Sequence, residues 1–489
     1  MKNEWTRRNF IRAGAAGLCG LTFAERLAAA RSGKQPHVLI LTTDQQRIDA
    51  MSALGNRWVK TPNMDSIAAG GVYFTRSYCP YPLCSPSRSS LHTSRTPHEI
   101  GVDRNSLPID PSIPISGQIF RAAGYETGYA GKWHMPSPYP VGKDEIAGFE
   151  VLNTTTRQGK LAHDVDQATM NSAIEFLKRK HEKPFLLTVS FINPHDICLP
   201  AGESSPLTEE VWKKYQPADG AELPPLPVNF ENPVGGPDAL ARRPKNAAWD
   251  EKHWRRYRYA YFRMMEDVDQ QIGQVLQTLR SSGLEENTII IFTSDHGEGL
   301  GSHHWTGKMM YYEEEAAVPL IVSWKGVTPA GRIDKEHLVS ALDVLPTLCD
   351  YAGVKGPALM RGASLRAVIE KPESTGHEYV VSEMAAGGTR SFMVRTKQYK
   401  YMTFPALKSE MLFDLSKDPG EMKNLAAETV MAGRLEDHRK LLAQWKTMTE
   451  EEKYPVKAAP GNQGGRNRKA GKAGSAVKAR QQRAKTDTR

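Results

Sequence analysis

Three near-continuous apolar runs constrain this chain most: residues 37–43, 184–191 and 287–293, each rich in Val, Ile, Leu, Phe and Thr. A strand with one wet face alternates apolar and polar side chains, so runs without alternation suit strands covered on both faces. Between them lie helical patterns, residues 164–180 and 254–284, the second with Met264, Val268, Ile272, Val275 and Leu279 at helical spacing. Strands alternating with long helices predict an α/β fold with a large, mainly parallel sheet flanked by helices on both faces. Past residue 374 the texture changes. Short strand-like segments at 379–382, 391–395, 399–401 and 411–414, then a helix near 429–450, predict a smaller C-terminal antiparallel-sheet domain. The expected division is a catalytic domain over 35–374 and an α+β subdomain over 375–455. Residues 201–250, rich in Pro and Gly, read as a long surface excursion, and such loops beside a sheet often shape substrate choice.

Both ends of the chain stand apart. Thr6-Arg7-Arg8-Asn9-Phe10-Ile11-Arg12 precedes a weakly apolar stretch and then Leu27-Ala28-Ala29-Ala30. A charged start, an apolar middle and a small-residue end are the parts of an export signal, and the paired arginines make it resemble a twin-arginine signal. Residues 1–34 are therefore read as that signal, and a periplasmic or secreted location is expected. At the other end, residues 456–489 carry ten Lys and Arg against Asp487 alone, which accounts for the whole net charge of +9. A basic low-complexity tail on a neutral body argues against nucleic-acid binding by the fold. No later stretch is apolar for long enough to span a bilayer, so no stable membrane anchor is expected. Setting aside Cys19 and Cys84, the cysteines Cys79, Cys198 and Cys349 form no disulfide framework.

Polar clusters follow the strand-like runs: Asp44-Gln45, Asn193-Pro194-His195-Asp196, Ser294-Asp295-His296-Gly297-Glu298 and, after residues 125–130, Gly131-Lys132-Trp133-His134. In open α/β sheets ligands bind outside the carboxyl ends of the strands. Singly, each cluster has a plain explanation as a turn, a helix cap or a solvated loop. Together they look like a site, with the reaction open between phosphoryl and sulfuryl transfer.

The segment Cys84-Ser85-Pro86-Ser87-Arg88, with Thr93 following, closely resembles the signature of the type I, formylglycine-dependent sulfatases of the alkaline phosphatase superfamily. The resemblance extends in order over roughly residues 36–430. It takes in Gly131-Lys132-Trp133-His134, then Asp295-His296-Gly297-Glu298 with Gly301, His303 and Lys308, and the turn Asp418-Pro419-Gly420-Glu421. Two positions depart from the family pattern: Ser94 replaces a glycine, and Gln45 replaces the second member of an Asp-Asp pair.

The resemblance implies that Cys84 is oxidised to formylglycine, an aldehyde that hydrates to a geminal diol. Asp44, Gln45, Asp295 and His296 match the family's metal ligands, with hydrated Cys84 joining them. These donors are mostly oxygens, consistent with calcium over zinc. One hydroxyl of the diol would attack sulfur, and deprotonation of the second would expel sulfate. By position, Arg88 would hold the diol and His134 would assist its second hydroxyl. Lys132, His195, Lys308 and His303 would bind substrate, and His195 or His303 would protonate the leaving group. The implied partners are a sulfated carbohydrate or other sulfate ester and, transiently, a formylglycine-generating enzyme and export machinery. Two alternatives stand beside this one: a phosphonate or phosphodiester hydrolase of the same superfamily, and a non-catalytic sulfated-glycan binder that keeps Cys84 as a thiol.

Overall fold

The computed structural model describes residues 35–136, 146–153, 159–202, 206–231, 249–386 and 388–454. The expected signal segment and basic tail lie outside the described residues, as does 232–248 of the excursion. The first strands are β1 (His37–Asp44), β2 (Val72–Phe74), β3 (Ser77–Tyr78), β4 (Glu126–Gly131), β5 (Glu150–Val151), β6 (Phe185–Pro194) and β7 (Thr288–Ser294). They are followed by β8 (Leu320–Ser323), β9 (Arg332–Asp334), β10 (Val339–Ser340), β11 (Tyr379–Ala386), β12 (Thr389–Thr396), β13 (Tyr399–Phe404) and β14 (Ser409–Asp414). The helices needed below are α1 (Pro62–Ala69), α2 (Cys84–Thr93), α3 (Ala162–Leu177), α4 (Glu251–Ser281), α5 (Val344–Ala352) and α6 (Ala432–Thr449).

The three apolar runs are neighbours at the centre of an eight-stranded sheet of order β5-β4-β6-β1-β7-β8-β2-β9. From β5 through β7 every pairing is parallel; β8 alone runs against its neighbours. The expected two-sided burial is visible residue by residue. Leu39 and Leu41 of β1 pack with α1, α3 and α4, through side chains such as Met64, Phe176, Met265 and Ile272. Val38 and Ile40 face the opposite layer, with Leu91 of α2 and Val344, Leu345 and Leu348 of α5. All four β1 residues are essentially inaccessible, so truncating one to Ala would cost about 2–5 kcal/mol.

The C-terminal sheet is an antiparallel meander, β11-β12-β13-β14. Its two faces alternate cleanly. Phe392, Val394, Tyr401 and Leu412 meet Leu435, Leu442 and Trp445 of α6. Met393, Met402, Met411 and Phe413 meet Tyr78, Tyr81, Tyr311 and Tyr312 of the larger unit. The small sheet is thereby buried on both sides, one of them against the residues that carry the site. Among the described residues no helix is long and apolar enough to cross a membrane.

Candidate active site

Because β4, β6, β1 and β7 are adjacent and parallel, their carboxyl ends fall on one edge. There β1 delivers Asp44 and Gln45, β4 delivers Lys132 and His134, β6 delivers His195, and β7 delivers Asp295 and His296. Helix α2 points its first residue, Cys84, into the same edge. Local backbone explains part of the placement. Gly131 has φ of 98°, and a Cβ there would lie 2.0 Å from Ser190 O. Only glycine lets the chain turn this closely, and Lys132 N then donates to Ser190 O. Gln45 and His134, both at φ 72°, also occupy the left-handed region. Such strain costs of order 1–3 kcal/mol and concentrates at functional sites.

Arg88 lies one turn along α2 from Cys84 and is the hub of the floor. Its Nη2 donates to Asp44 Oδ2 at 2.7 Å, its Nε to Asp295 Oδ2 at 2.8 Å, and its Nη1 to Ser190 Oγ at 2.6 Å. Lys132 Nζ also pairs with Asp44 Oδ2, at 2.7 Å. Asp295 Oδ1 accepts the backbone N–H groups of Gln45 and His296. Around the Cys84 sulfur stand His296 Nε2 at 3.2 Å, Lys308 Nζ at 3.3 Å, Asp44 Oδ1 at 3.7 Å and Lys132 Nζ at 3.9 Å. The rings of His134 and His195 reach it as well. One ligand-capable atom from each of Asp44, Cys84, Asp295 and His296 falls within 4.8 Å of the others. Two carboxylates and an imidazole converging with a fourth donor are a fit donor set for a divalent cation.

The site is graded from floor to rim. Asp44, Gln45, Cys84 and His296 are fully buried, whereas the His195 side chain keeps 15 % exposure and His134 and Lys308 are half-buried. Burial and Asp44 oppose ionisation of the Cys84 thiol, but Lys132, Lys308 and His296 outweigh them and hold it well below the usual thiol range. Burial likewise opposes the Asp44 carboxylate, and Lys132, His195 and Arg88 overcome it and depress its pKa. Asp295 is pushed up to about 6 by burial and by Asp44, against the pull of Arg88. His195 is pushed down to about 3 by burial, Lys308 and Lys132, so it is neutral near pH 7. The arrangement holds an anion-seeking pocket above a carboxylate floor, with neutral imidazoles at the rim.

The sequence expectations map onto this ring with one difference. Cys84, Arg88, Lys132, His134, His195, Lys308, Asp44, Gln45, Asp295 and His296 are brought together. His303, at φ 52°, instead stacks on Tyr312 with ring centroids 3.9 Å apart and meets Asn229 Nδ2 at 3.1 Å. Of the two histidines considered for the leaving group, His195 is the one in hydrogen-bonding reach of Cys84. Ser190 and Cys198 of the site carry no signal in the sequence, and Glu298 shows there only within Asp295-His296-Gly297-Glu298. Ser190 holds Arg88, Cys198 lies 3.2 Å from Gln45 Nε2, and Glu298 accepts from Gln45 Nε2. Ser94 has a structural account: at φ 53° it closes α2, and its Oγ donates to Leu342 O and accepts from Gly362 N. Those two bonds offset the conformation that glycine would adopt freely.

Comparisons with known proteins identify the family. The sulfatase family model matches residues 36–354, and the model for the C-terminal region of N-sulphoglucosamine sulphohydrolase matches 301–448. A Δ4,5-hexuronate-2-O-sulfatase of Bacteroides thetaiotaomicron is 32% identical over 470 residues, covering 90% of this chain and 93% of that protein. The solved structure of a 2-O GAG sulfatase superposes with a TM-score of 0.76 at 30% identity, covering 87% of this chain and 96% of that one. A phosphonate monoester hydrolase of Agrobacterium radiobacter is also similar, with a TM-score of 0.69 at 26% identity over 87% of this chain and all of that one. On these grounds the chain belongs to the sulfatase family of the alkaline phosphatase superfamily and is a sulfuric ester hydrolase.

Proposed function

We propose that this enzyme is an exported, calcium-dependent sulfatase that removes sulfate from carbohydrates, with Cys84 converted to formylglycine. The observation that carries the reading is the seat of Cys84. It is a buried residue at a helix start, with Lys308 Nζ and His296 Nε2 within 3.3 Å of its sulfur and Asp44 Oδ1 beyond. In the converted protein the oxygens of the hydrated aldehyde stand where the sulfur is placed here. Asp44, Gln45, Asp295 and His296 would hold the calcium, which supplies Lewis-acid polarisation of the sulfate group.

The chain's own residues supply the rest. Arg88, fixed by Asp44, Asp295 and Ser190, keeps the first turn of α2 and its Cys84 in register with the floor. Lys132 and Lys308 place two cations where negative charge builds on the sulfate oxygens, a preorganised stabilisation that water cannot match. His134 and His195 each aim a ring at Cys84 while their Nδ1 atoms are buried without a protein partner. His134 is placed to take the proton from the second hydroxyl. His195, whose proton affinity the bound anionic ester raises against the pull of Lys308 and Lys132, is placed to give the leaving oxygen its proton as an imidazolium. The helix start at Cys84 favours anionic charge there.

A carbohydrate substrate is supported by the relative named for a hexuronate 2-O-sulfate and by the 2-O GAG sulfatase structure. Export is supported by the paired arginines near the N-terminus. Side-by-side turnover of an aryl sulfate, an aryl phosphodiester and a 2-O-sulfated unsaturated hexuronate disaccharide tests the reading. Faster release of sulfate than of phosphodiester product is expected. A larger rate on the diester would place the enzyme with the phosphonate hydrolases.

A further inference from the structure

The donor atom that Gln45 offers is ambiguous by shape. A carboxamide is nearly symmetrical, and its hydrogen-bond partners alone decide whether oxygen or nitrogen faces a given side. Here two partners of opposite kind decide it. On one side Gln45 Nε2 donates to Glu298 Oε2 at 2.5 Å, and a carboxylate cannot donate in return. On the other side Gln45 Oε1 accepts from Lys308 Nζ at 2.9 Å, and an ammonium cannot accept. The same Lys308 Nζ touches the Cys84 sulfur at 3.3 Å, so Oε1 is the end of the amide that looks into the site. Reversing the amide would set donor against donor at Lys308 and acceptor against acceptor at Glu298.

Glu298 is held independently of Gln45. It is fully buried, and its other oxygen, Oε1, accepts from the Tyr257 hydroxyl of α4 at 2.8 Å, from Gly307 N at 2.6 Å and from Leu300 N at 3.2 Å. Its neighbour Gly297 seats it tightly, since a Cβ there would lie 1.9 Å from Glu314 O. We infer that Glu298 is a positioning residue for the metal site, fixing the Gln45 carboxamide so that Oε1, and not Nε2, is presented as a ligand. The inference rests on the reading of Gln45 as a metal ligand. It also gives a physical reason for an amide at position 45: a carboxylate there would set two like charges at hydrogen-bond distance, whereas the amide supplies the donor that Glu298 accepts. Groups that orient a ligand in this way typically matter by about 10–100-fold in metal affinity.

Glu298→Gln is the discriminating change. The oxygen of the new amide can keep the contacts to Tyr257, Leu300 and Gly307, while its nitrogen confronts Gln45 with a donor and turns the Gln45 nitrogen toward the site. The double exchange Q45E/E298Q restores an acceptor facing the amide at position 298 and an oxygen facing Lys308. Calorimetric titration of the chelator-stripped protein with calcium chloride, with melting temperature followed in parallel without metal, separates the outcomes. E298Q is expected to weaken calcium binding on the order of 10–100-fold with little change in the metal-free melting temperature, and Q45E/E298Q to recover most of the loss. Wild-type affinity in E298Q, beside weakened binding in Q45A, would overturn the inference while leaving Gln45 a ligand. Equal loss in E298Q and the double exchange would assign Glu298 a purely structural role and overturn it too. Wild-type affinity in Q45A would instead remove the ligand reading on which the inference stands. Should E298Q fail to fold, the double exchange decides by itself: it must fold and bind calcium.

Discussion

Two clusters of buried charge lie close together in this molecule, and they differ in what is left unanswered. Behind the site, Lys400 of β13 is fully buried, pairs with Glu313 at 2.7 Å and Glu421 at 2.9 Å, and donates to Tyr311 O. His98, which packs against Trp445 of α6, uses both ring nitrogens, Nδ1 on Glu383 at 2.6 Å and Nε2 on Thr449 O at 3.3 Å. At the strand ends, His134 and His195 leave Nδ1 buried without a protein partner, Gln45 and His134 sit in the left-handed region, and the rim keeps some exposure. Burial of charge is therefore a poor mark of function by itself. Strain does not separate the two either, since Glu421 of the Lys400 cluster sits at φ 53°. Unanswered imidazole nitrogens and a graded opening distinguish the working cluster from the one that joins the two sheets.

The comparison can be broken by substitution. Lys400→Met removes the cation from between two buried carboxylates and should cost about 3–5 kcal/mol in urea unfolding, with kcat of the folded fraction kept. Loss of kcat without loss of stability would move Lys400 into the working cluster. Lys308→Ala should do the reverse, lowering kcat by roughly 10²–10³-fold while the unfolding midpoint holds; intact turnover would strip Lys308 of its role on the sulfate.

A pH series sharpens the contrast further. Burial alone would lower the pKa of His98, but Glu383 outweighs it and raises the value. The pair's stabilisation is then fully present below about pH 6.5 and fades as pH climbs through the raised value. Melting temperature should fall over that window in the wild type more than in Glu383→Gln, and parallel curves would deny the pair this role. The smallest effect is expected at Ser94→Gly, which relieves a left-handed serine worth about 1–2 kcal/mol and forfeits two hydrogen bonds worth roughly 0.5–1.5 kcal/mol each. Near-equal terms predict a stability change within about 1 kcal/mol, and a larger shift in the unfolding midpoint would show that one term dominates.

The same contrast explains what is legible in the sequence. Burial on both faces leaves an imprint, so β1, β6 and β7 are legible as unbroken apolar runs, and helices α3 and α4 as periodic ones. Strands β2, β8 and β9 have only three or four residues, too few for a period, and nothing in the sequence marks β8 as antiparallel. At the site, strand-end clusters are legible because a parallel sheet brings every carboxyl end to one edge. Glu298 shows in the sequence only as part of a motif, because its meaning lies in Gln45, Tyr257 and Gly307, which only the fold brings to it. His303 groups with Lys308 because both match one element of the family pattern, yet a positive φ carries its ring onto Tyr312.

What Cys84 becomes decides the chemistry, and the mass of the peptide that carries it is the most direct measurement. The chain should be co-produced with a formylglycine-generating enzyme, digested, and treated with a hydrazine probe. The aldehyde mass and its hydrazone are expected at position 84, with sulfate release rising in proportion to conversion. An intact thiol at Cys84 in protein that releases sulfate at full rate would contradict the formylglycine reading.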